Sequence, residues 1–537
     1  MRAANKIILS VEGLIMKTMN VFFLLLITGL VRAQTITSFT PVSGPTGQQG
    51  TTTLTINGTG FSTTAANNII FFGAVYKPAL TASATQLTVN VPTGATCQNL
   101  SVVNTETGLT AHAYTQTPFL PTYYNEGSMQ FSGSSDFSYT YGFAQPYCKV
   151  ADMDGDGKPD LVFVHKEDSS IAIIRNTSTI GSLSFDTTHI YYSSPTGYEI
   201  YAFEIADMNG DGKPDIVFRT YSTSNIFSII SNTSTSGTVS LGARFDFSKS
   251  SSQSNNASDG RDINVTDIDG DGKNDILVTS DNEIAIMRVM VYQNLSTTSA
   301  GTQFGITPTT IYSTSGGSSK QSITSADFDG DGKVDVGLVS VNTGSKSVFL
   351  ATFYNNSTSG TIGFSNATSP PLFTLGTCDA NLSSRSFNVI TANAGDLNGD
   401  GKPDLATANR GGKNMVTLLN NGTQGSGNFA ARVGNAVGLL PSCNKMLDFD
   451  GDGKLDLAST FTASSGNLIV QRNNSSASAI AFGGRVLLNV LDAPQWFELC
   501  DFDGDGKPDI VVVNNTTLSI QKSLSKHKAL FLGKFAF

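Results

Sequence analysis

Short apolar runs separated by turns rich in Gly, Asn, Ser and Thr recur along almost the whole chain. LVFV after Asp160, IVFR after Asp215, ILVT after Asp275 and IVVV after Asp509 have the length of single β-strands and are too short for helices. TTTLTING (51–58) and QLTVNVP (86–92) alternate apolar with polar, as half-buried strands do. One run differs. Val21 to Leu30 reads VFFLLLITGL, ten residues that are too few to span a bilayer. Lys17 ahead of it and Val31-Arg32-Ala33 before Gln34 complete the layout of a signal peptide over residues 1–33, with Met16 or Met19 as a more compact start. No second apolar span is evident, so a transmembrane segment is not expected.

Seven of the strand pairs are joined by one nine-residue pattern, Asp-x-[Asp/Asn]-Gly-Asp-Gly-Lys-x-Asp, whose starts are spaced 55, 60, 60, 69, 52 and 53 residues apart. Such a period marks an array of one supersecondary unit. Positions 1, 3, 5 and 9 offer oxygen: Asp152, Asp154, Asp156 and Asp160; Asp207, Asn209, Asp211 and Asp215; Asp267, Asp269, Asp271 and Asp275. The later copies supply Asp327, Asp329, Asp331 and Asp335; Asp396, Asn398, Asp400 and Asp404; Asp448, Asp450, Asp452 and Asp456; and Asp501, Asp503, Asp505 and Asp509. Alternating carboxylates on a tight turn converge as hard Ca²⁺ requires, and Gly at positions 4 and 6 lets the backbone curl with positive φ. An EF-hand is excluded, because position 12 is Phe163, Phe218, Val278 or Val512 rather than Glu, and strands, not helices, flank the loop. Position 2 is always apolar (Met153, Met208, Ile268, Phe328, Leu397, Phe449, Phe502) and is expected to plug into a core.

A second feature repeats in phase. Asn176, Asn232, Asn294, Asn355, Asn421 and Asn473 open Asn-x-Ser/Thr triplets 16 to 20 residues after each loop, and Ser523 replaces Asn in the seventh unit. Glycosylation sequons and Asn turns both fit, and the fixed phase favours turns. Further β-rich stretches such as THIYYSS and TTIYSTS then bring each unit to four strands, the size of a propeller blade.

Composition narrows the function. Of 35 Asp and 8 Glu, 26 Asp lie in the seven loops, and there are only four His, so little remains for acid–base catalysis. The net charge of −10 argues against nucleic acid as a partner. Beyond residue 33 the chain has 29 basic and 42 acidic residues, and seven Ca²⁺ would bring its charge from −13 to +1. The acidity is therefore mostly metal-site charge. Five Cys form no CxxC and read as small apolar residues of inner strands rather than a disulfide framework. The single Trp, Trp496, is expected in the core.

The seven loops resemble those of FG-GAP/VCBS repeats, the units of integrin-α-type β-propellers, over about residues 120–537. The resemblance implies an all-β seven-bladed β-propeller over residues 118–537. It implies up to seven Ca²⁺ held by the four side chains of each loop with the position-7 carbonyl, on the face opposite the usual ligand-binding face. Either Phe131–Tyr141 or the C-terminal KHKALFLGKFAF would complete the last blade. Residues 34–117 resemble an IPT/TIG domain, an immunoglobulin-like β-sandwich, through Phe39, Pro41, Gly44, Pro45, Gly47, Gly58, Gly60, Phe61, Phe72-Gly73 and Val91-Pro92. Pro118–Gly127 reads as the linker.

Three functions compete on this reading. The leading expectation is a secreted or cell-surface Ca²⁺-binding module that holds an extracellular protein or glycan ligand, with no catalytic residues. A polysaccharide lyase or hydrolase would need acids outside the loops, where Glu199, Glu204, Asp259, Arg261, Asp262 and Glu498 are scattered along the strands. A structural matrix or surface component is the third. The oligomeric state is open.

Overall fold

The computed structural model describes residues 34–46, 52–112, 118–122, 131, 135–138, 147–165, 170–186, 190–193, 200–220, 225–248, 262–282, 286–296, 303–305, 308–315, 321–342, 347–365, 370–377, 391–410, 412–436, 441–461, 467–490, 494, 496–514 and 517–523. The signal-peptide segment, residues 1–33, and the C-terminal KHKALFLGKFAF lie outside them.

Thr35–Thr40, Thr53–Thr59, Gln86–Asn90 and Thr81–Ala82 make one antiparallel sheet, and Val75–Pro78, Asn68–Phe72, Ser101–Asn104 and Leu109–His112 make the other. The alternation seen in the sequence turns Leu54, Ile56, Leu87 and Val89 inward against Ile70, Phe72 and Val102. Part of the stretch read as linker belongs to this sandwich. Leu120–Thr122 pair in parallel with Ser43–Pro45, and buried Phe119 meets Phe72 edge-on at 6.4 Å.

The rest is seven four-stranded antiparallel sheets. The first runs Tyr147–Ala151, Asp160–His165, Ser170–Ile174, Ile190–Ser193, each strand paired to the next. The innermost strands of the other six are Ile200–Ala206, Ile263–Thr266, Gln321–Ala326, Ala392–Gly395, Pro441–Leu447 and Trp496–Cys500. Each innermost strand packs against the next, and the last packs against the first, so the sheets form a closed ring of blades. Closure uses an early strand: Ser135–Ser138 pair antiparallel with Thr517–Ile520 and supply the outermost strand of the seventh blade. Of the two segments the sequence left open, the stretch containing Phe131 therefore holds that edge.

Cores lie between neighbouring blades, as in the cluster of Met153, Val162, Val164, Phe203, Ile216 and Phe218. The seven position-2 residues are all buried, so each loop is pinned by an apolar plug. Cys148, Cys443 and Cys500 sit buried on inner strands, as expected; Cys97 lies in the sandwich and Cys378 outside the described residues.

The in-phase Asn residues link the blades. Asn232 Nδ2 donates 3.0 Å to the carbonyl of Met153 in the preceding blade's loop. Asn355 does so to Ile268 at 2.7 Å and to its own blade's Val334 at 2.8 Å, while its Oδ1 accepts the Ser357 N–H at 2.8 Å. Asn176 reaches Phe502 in the same way, joining the first blade to the seventh at 2.8 Å. In the fifth blade the residue in phase is Asn420, not Asn421: its amide reaches Phe328 at 2.9 Å. The Asn421 sequon is one residue out of register and misled the sequence reading. These amides are buried and hydrogen-bonded, so they act as turns and clasps, whereas Asn421 is exposed. In the seventh blade Ser523 keeps only the N–H bond to Asp509, at 3.1 Å.

The sandwich packs on the acidic-loop face of the ring. Asp152 N–H donates 2.7 Å to Ala74, Thr110 N–H donates 2.5 Å to Gly272, and His112 Nε2 lies 2.8 Å from Asn274 Oδ1. Gly210 is required here: a Cβ would fall 2.3 Å from the Gly108 carbonyl, and its φ is +78°.

Replacing Asn355 by Ala strands the Ile268 and Val334 carbonyls and the Ser357 N–H in a buried seam. The expected loss is about 2–4 kcal/mol of stability, read by chemical denaturation. A loss below about 0.5 kcal/mol, the size of an ordinary surface change, would contradict the clasp.

Candidate metal centres and the central channel

Each acidic loop bridges the last pair of the first hairpin of its blade, as Ala151 with Asp160 and Leu447 with Asp456. All fourteen position-4 and position-6 glycines have positive φ, from Gly155 at 67° to Gly332 at 90°. That curl turns backbone N–H groups onto the carboxylates. In the first loop Asp152 accepts from Asp156 N–H at 3.1 Å and Gly157 N–H at 2.9 Å, and Asp156 accepts from Lys158 N–H at 2.9 Å. Asp160 receives Met153 N–H at 2.9 Å on one oxygen and Asn176 N–H at 2.8 Å on the other.

Five loops bring three carboxylates together with one oxygen from each within 4.8 Å of the others: Asp152/Asp154/Asp160, Asp267/Asp269/Asp271, Asp327/Asp329/Asp335, Asp448/Asp450/Asp456 and Asp501/Asp503/Asp509. Oxygens bound to one ion at about 2.4 Å lie at most about 4.8 Å apart, so the spacing fits a common cation. The donors are hard and anionic, as Ca²⁺ prefers. Asp505 Oδ1 is buried with no hydrogen-bond partner, an acceptor in want of a cation or water. The second and fifth loops, with Asn209 and Asn398 at position 3, hold two Asp fewer between them and form no such triplet among the described residues.

Burial, followed by like-charge crowding and opposed by backbone N–H groups, pushes these acids up. Asp152, Asp207, Asp267, Asp404, Asp448 and Asp501 are raised to about 7, Asp327 to about 6, and Asp335 and Asp456 to about 8. Asp160, Asp215, Asp275 and Asp509 stand well above the carboxylate range.

A counter-charge pattern escaped the sequence reading. In four of the seven blades the residue just before the in-phase Asn or Ser reaches the position-3 carboxylate: Arg175 to Asp154 at 2.5 Å, Arg472 to Asp450 at 2.7 Å, Lys522 to Asp503, and the uncharged Gln293 to Asp269 at 2.5 Å; in the fourth blade Tyr354 stands there and donates to Gly427 at 2.7 Å instead. Where position 3 is Asn, the same site holds Ser231 or Leu419, without charge. Aligning the seven units on the Asn would have shown this pairing.

A second ring also went unseen. The third residue before each loop is polar in every blade: Lys149, Glu204, Asn264, Thr324, Asn393, Lys445 and Glu498. Six of the seven line one cavity of about 390 Å³ in the middle of the ring; Glu498 pairs with the sixth. Lys149 meets Glu204 at 2.6 Å and Lys445 meets Glu498 at 2.9 Å. Of the acids called scattered, Glu204 and Asp262 thus face this cavity and Glu498 stands at its wall. Burial raises Asp262 to about 6. Glu199, Asp259 and Arg261 lie outside the described residues. Trp496, expected in the core, is half-buried and lines the cavity, with Lys445 over its ring at 5.3 Å and its Nε1 donating 2.9 Å to Glu498.

In chelator, the raised carboxylates bind protons in the folded chain up to about pH 6–8, and in the unfolded chain only up to about pH 4. The folded state then holds more protons between these limits, so stability falls as pH rises from about 4 to 8. Thermal melts in chelator are expected to show Tm falling from pH 5 to pH 8, with saturating Ca²⁺ removing the slope. A chelated Tm that rises over that window would contradict the assignment.

The family model described as FG-GAP-like repeat matches residues 152–218, 267–338, 396–459 and 448–512, and that of the IPT/TIG domain matches residues 35–121. No curated protein sequence matches the chain. Among solved structures, an auxiliary nutrient binding protein from Bacteroides ovatus shares 9% identity over 92% of this chain and 99% of its own, with a TM-score of 0.34. The rhamnogalacturonan lyase of Bacillus licheniformis shares 12% over 92% of this chain and 89% of its own, also at 0.34. AofleA from Arthrobotrys oligospora shares 11% over 68% and 96%, at 0.36. Likenesses this loose do not bear on ligand or activity. The chain thus carries FG-GAP-like repeats in its closed ring of seven blades, with an IPT/TIG domain ahead of them.

Proposed function

We propose that the chain is an exported Ca²⁺-binding β-propeller whose acidic loops hold Ca²⁺ for structure and whose ring presents a binding site for an extracellular protein or glycan. The observation that carries this reading is the fivefold recurrence of converging, buried carboxylates at one place in the blade. Without a cation such groups repel and resist ionisation; with one they become ligands. The position-1, 3, 5 and 9 side chains would hold the ion, and Ca²⁺ would supply charge neutralisation and nothing catalytic. No helix among the described residues is long and apolar enough to cross a membrane.

Catalysis has one observation in its favour, the convergence of Glu204, Asp262 and Glu498 on the channel. Against it, both glutamates are paired with lysines, which leaves Asp262 without a second unpaired carboxylate of the kind glycoside hydrolysis uses. Turnover of polysaccharides by the purified chain would establish the enzyme instead.

Extracellular sites with Kd near 10⁻⁴–10⁻³ M add about 0.4–1.4 kcal/mol each at one to ten times Kd, or roughly 3–10 kcal/mol over seven sites. Chelation should therefore lower Tm and expose the chain to protease, reversibly on return of Ca²⁺. An unchanged Tm would overturn the proposal.

A further inference from the structure

Resting on the reading of the propeller as a binding module, we infer that the central channel under the sandwich is its ligand site, and that the ligand is a neutral, polyhydroxylated molecule of one or two sugar units. The cavity of about 390 Å³ lies toward the small end of small-molecule sites. It is walled by the inner strands and roofed by sandwich residues that include Gln98, Asn99 and His112. Metal ligands take little part in that wall, so it is a site apart from the loops.

The chemistry of the wall selects the ligand. Both lysines already face a carboxylate, at 2.6 and 2.9 Å, and Asp262 adds a further acid. Among the described residues the channel therefore has no spare cation for a phosphate or a uronate. The pairs also leave capacity unused, since an ammonium has three donors and a carboxylate about four acceptor positions. Across from them stand amides and hydroxyls, among them Thr324 and Asn393. Asn264 adds a further side-chain amide to that wall. A surface that mixes donors with acceptors and carries no excess positive charge matches hydroxyl groups, which do both.

Trp496 makes the proposal measurable. It is the only tryptophan of the chain, and it lines the cavity, so its emission responds to what enters the channel. The full mature chain in millimolar Ca²⁺ should be titrated with glucose, galactose, mannose, xylose, cellobiose and maltose, and in parallel with galacturonate and inorganic phosphate. The expected result is a saturable change in Trp496 emission with at least one neutral sugar, at a Kd matched by calorimetry. Asn264→Leu should weaken that binding tenfold or more with an unchanged Tm. Thr324→Val serves as the second variant should Asn264→Leu fail to fold. Silence from every neutral sugar overturns the inference. So does binding that leaves Trp496 emission and both variants unaffected, or a channel response to the anions alone. A melt with and without chelator in the same samples keeps the two readings apart. A Ca²⁺-dependent Tm without sugar binding removes the channel site only, and a Ca²⁺-independent Tm removes the metal reading whatever the sugars do.

Discussion

The position-9 carboxylate is the constraint on which the ring depends. In the first blade Asp160 takes the Met153 N–H on one oxygen and the Asn176 N–H on the other. Asn176 in turn donates to Phe502 in the neighbouring blade. The loop's curl, the end of the third strand and the seam between blades thus meet at one buried acid. The same pattern returns at Asp215 with Asn232 and at Asp335 with Asn355. An ion that neutralises this group acts on the whole seam, because in a ring each blade is held by its two neighbours.

Loop charge is balanced blade by blade rather than uniformly. Arg175, Arg472 and Lys522 stand against position-3 aspartates, while Asn209 and Asn398 face no such cation. Three loops gain a base and two lose a carboxylate, while the third and fourth keep four aspartates beside the neutral Gln293 and Tyr354. The sandwich meanwhile covers loops on one side of the ring through Ala74, Thr110 and His112. It thereby becomes both a roof for the channel and a neighbour of the acidic loops.

The loops, their apolar plugs and the four-strand unit were legible because each is encoded within a few residues: alternating Asp for converging oxygens, Gly for positive φ, one apolar residue for the core. What escaped depends on distance in the chain. The edge strand Ser135–Ser138 finds its partner Thr517–Ile520 only when the ring closes. Asn420 and Asn421 are adjacent, and only the sheet's register shows which one is buried. The polar ring of Lys149, Glu204 and Asn264 is one residue per blade, invisible until the blades are stacked around an axis. Trp496 does pack against two blade cores, and the channel on its other side shows only once the blades are in place.

The most direct measurement is the metal content of the folded chain, by elemental analysis after dialysis against millimolar Ca²⁺. Five to seven Ca²⁺ per chain is the expected count, five for the all-aspartate loops and two more for those with asparagine. A folded chain that retains less than one would contradict the account.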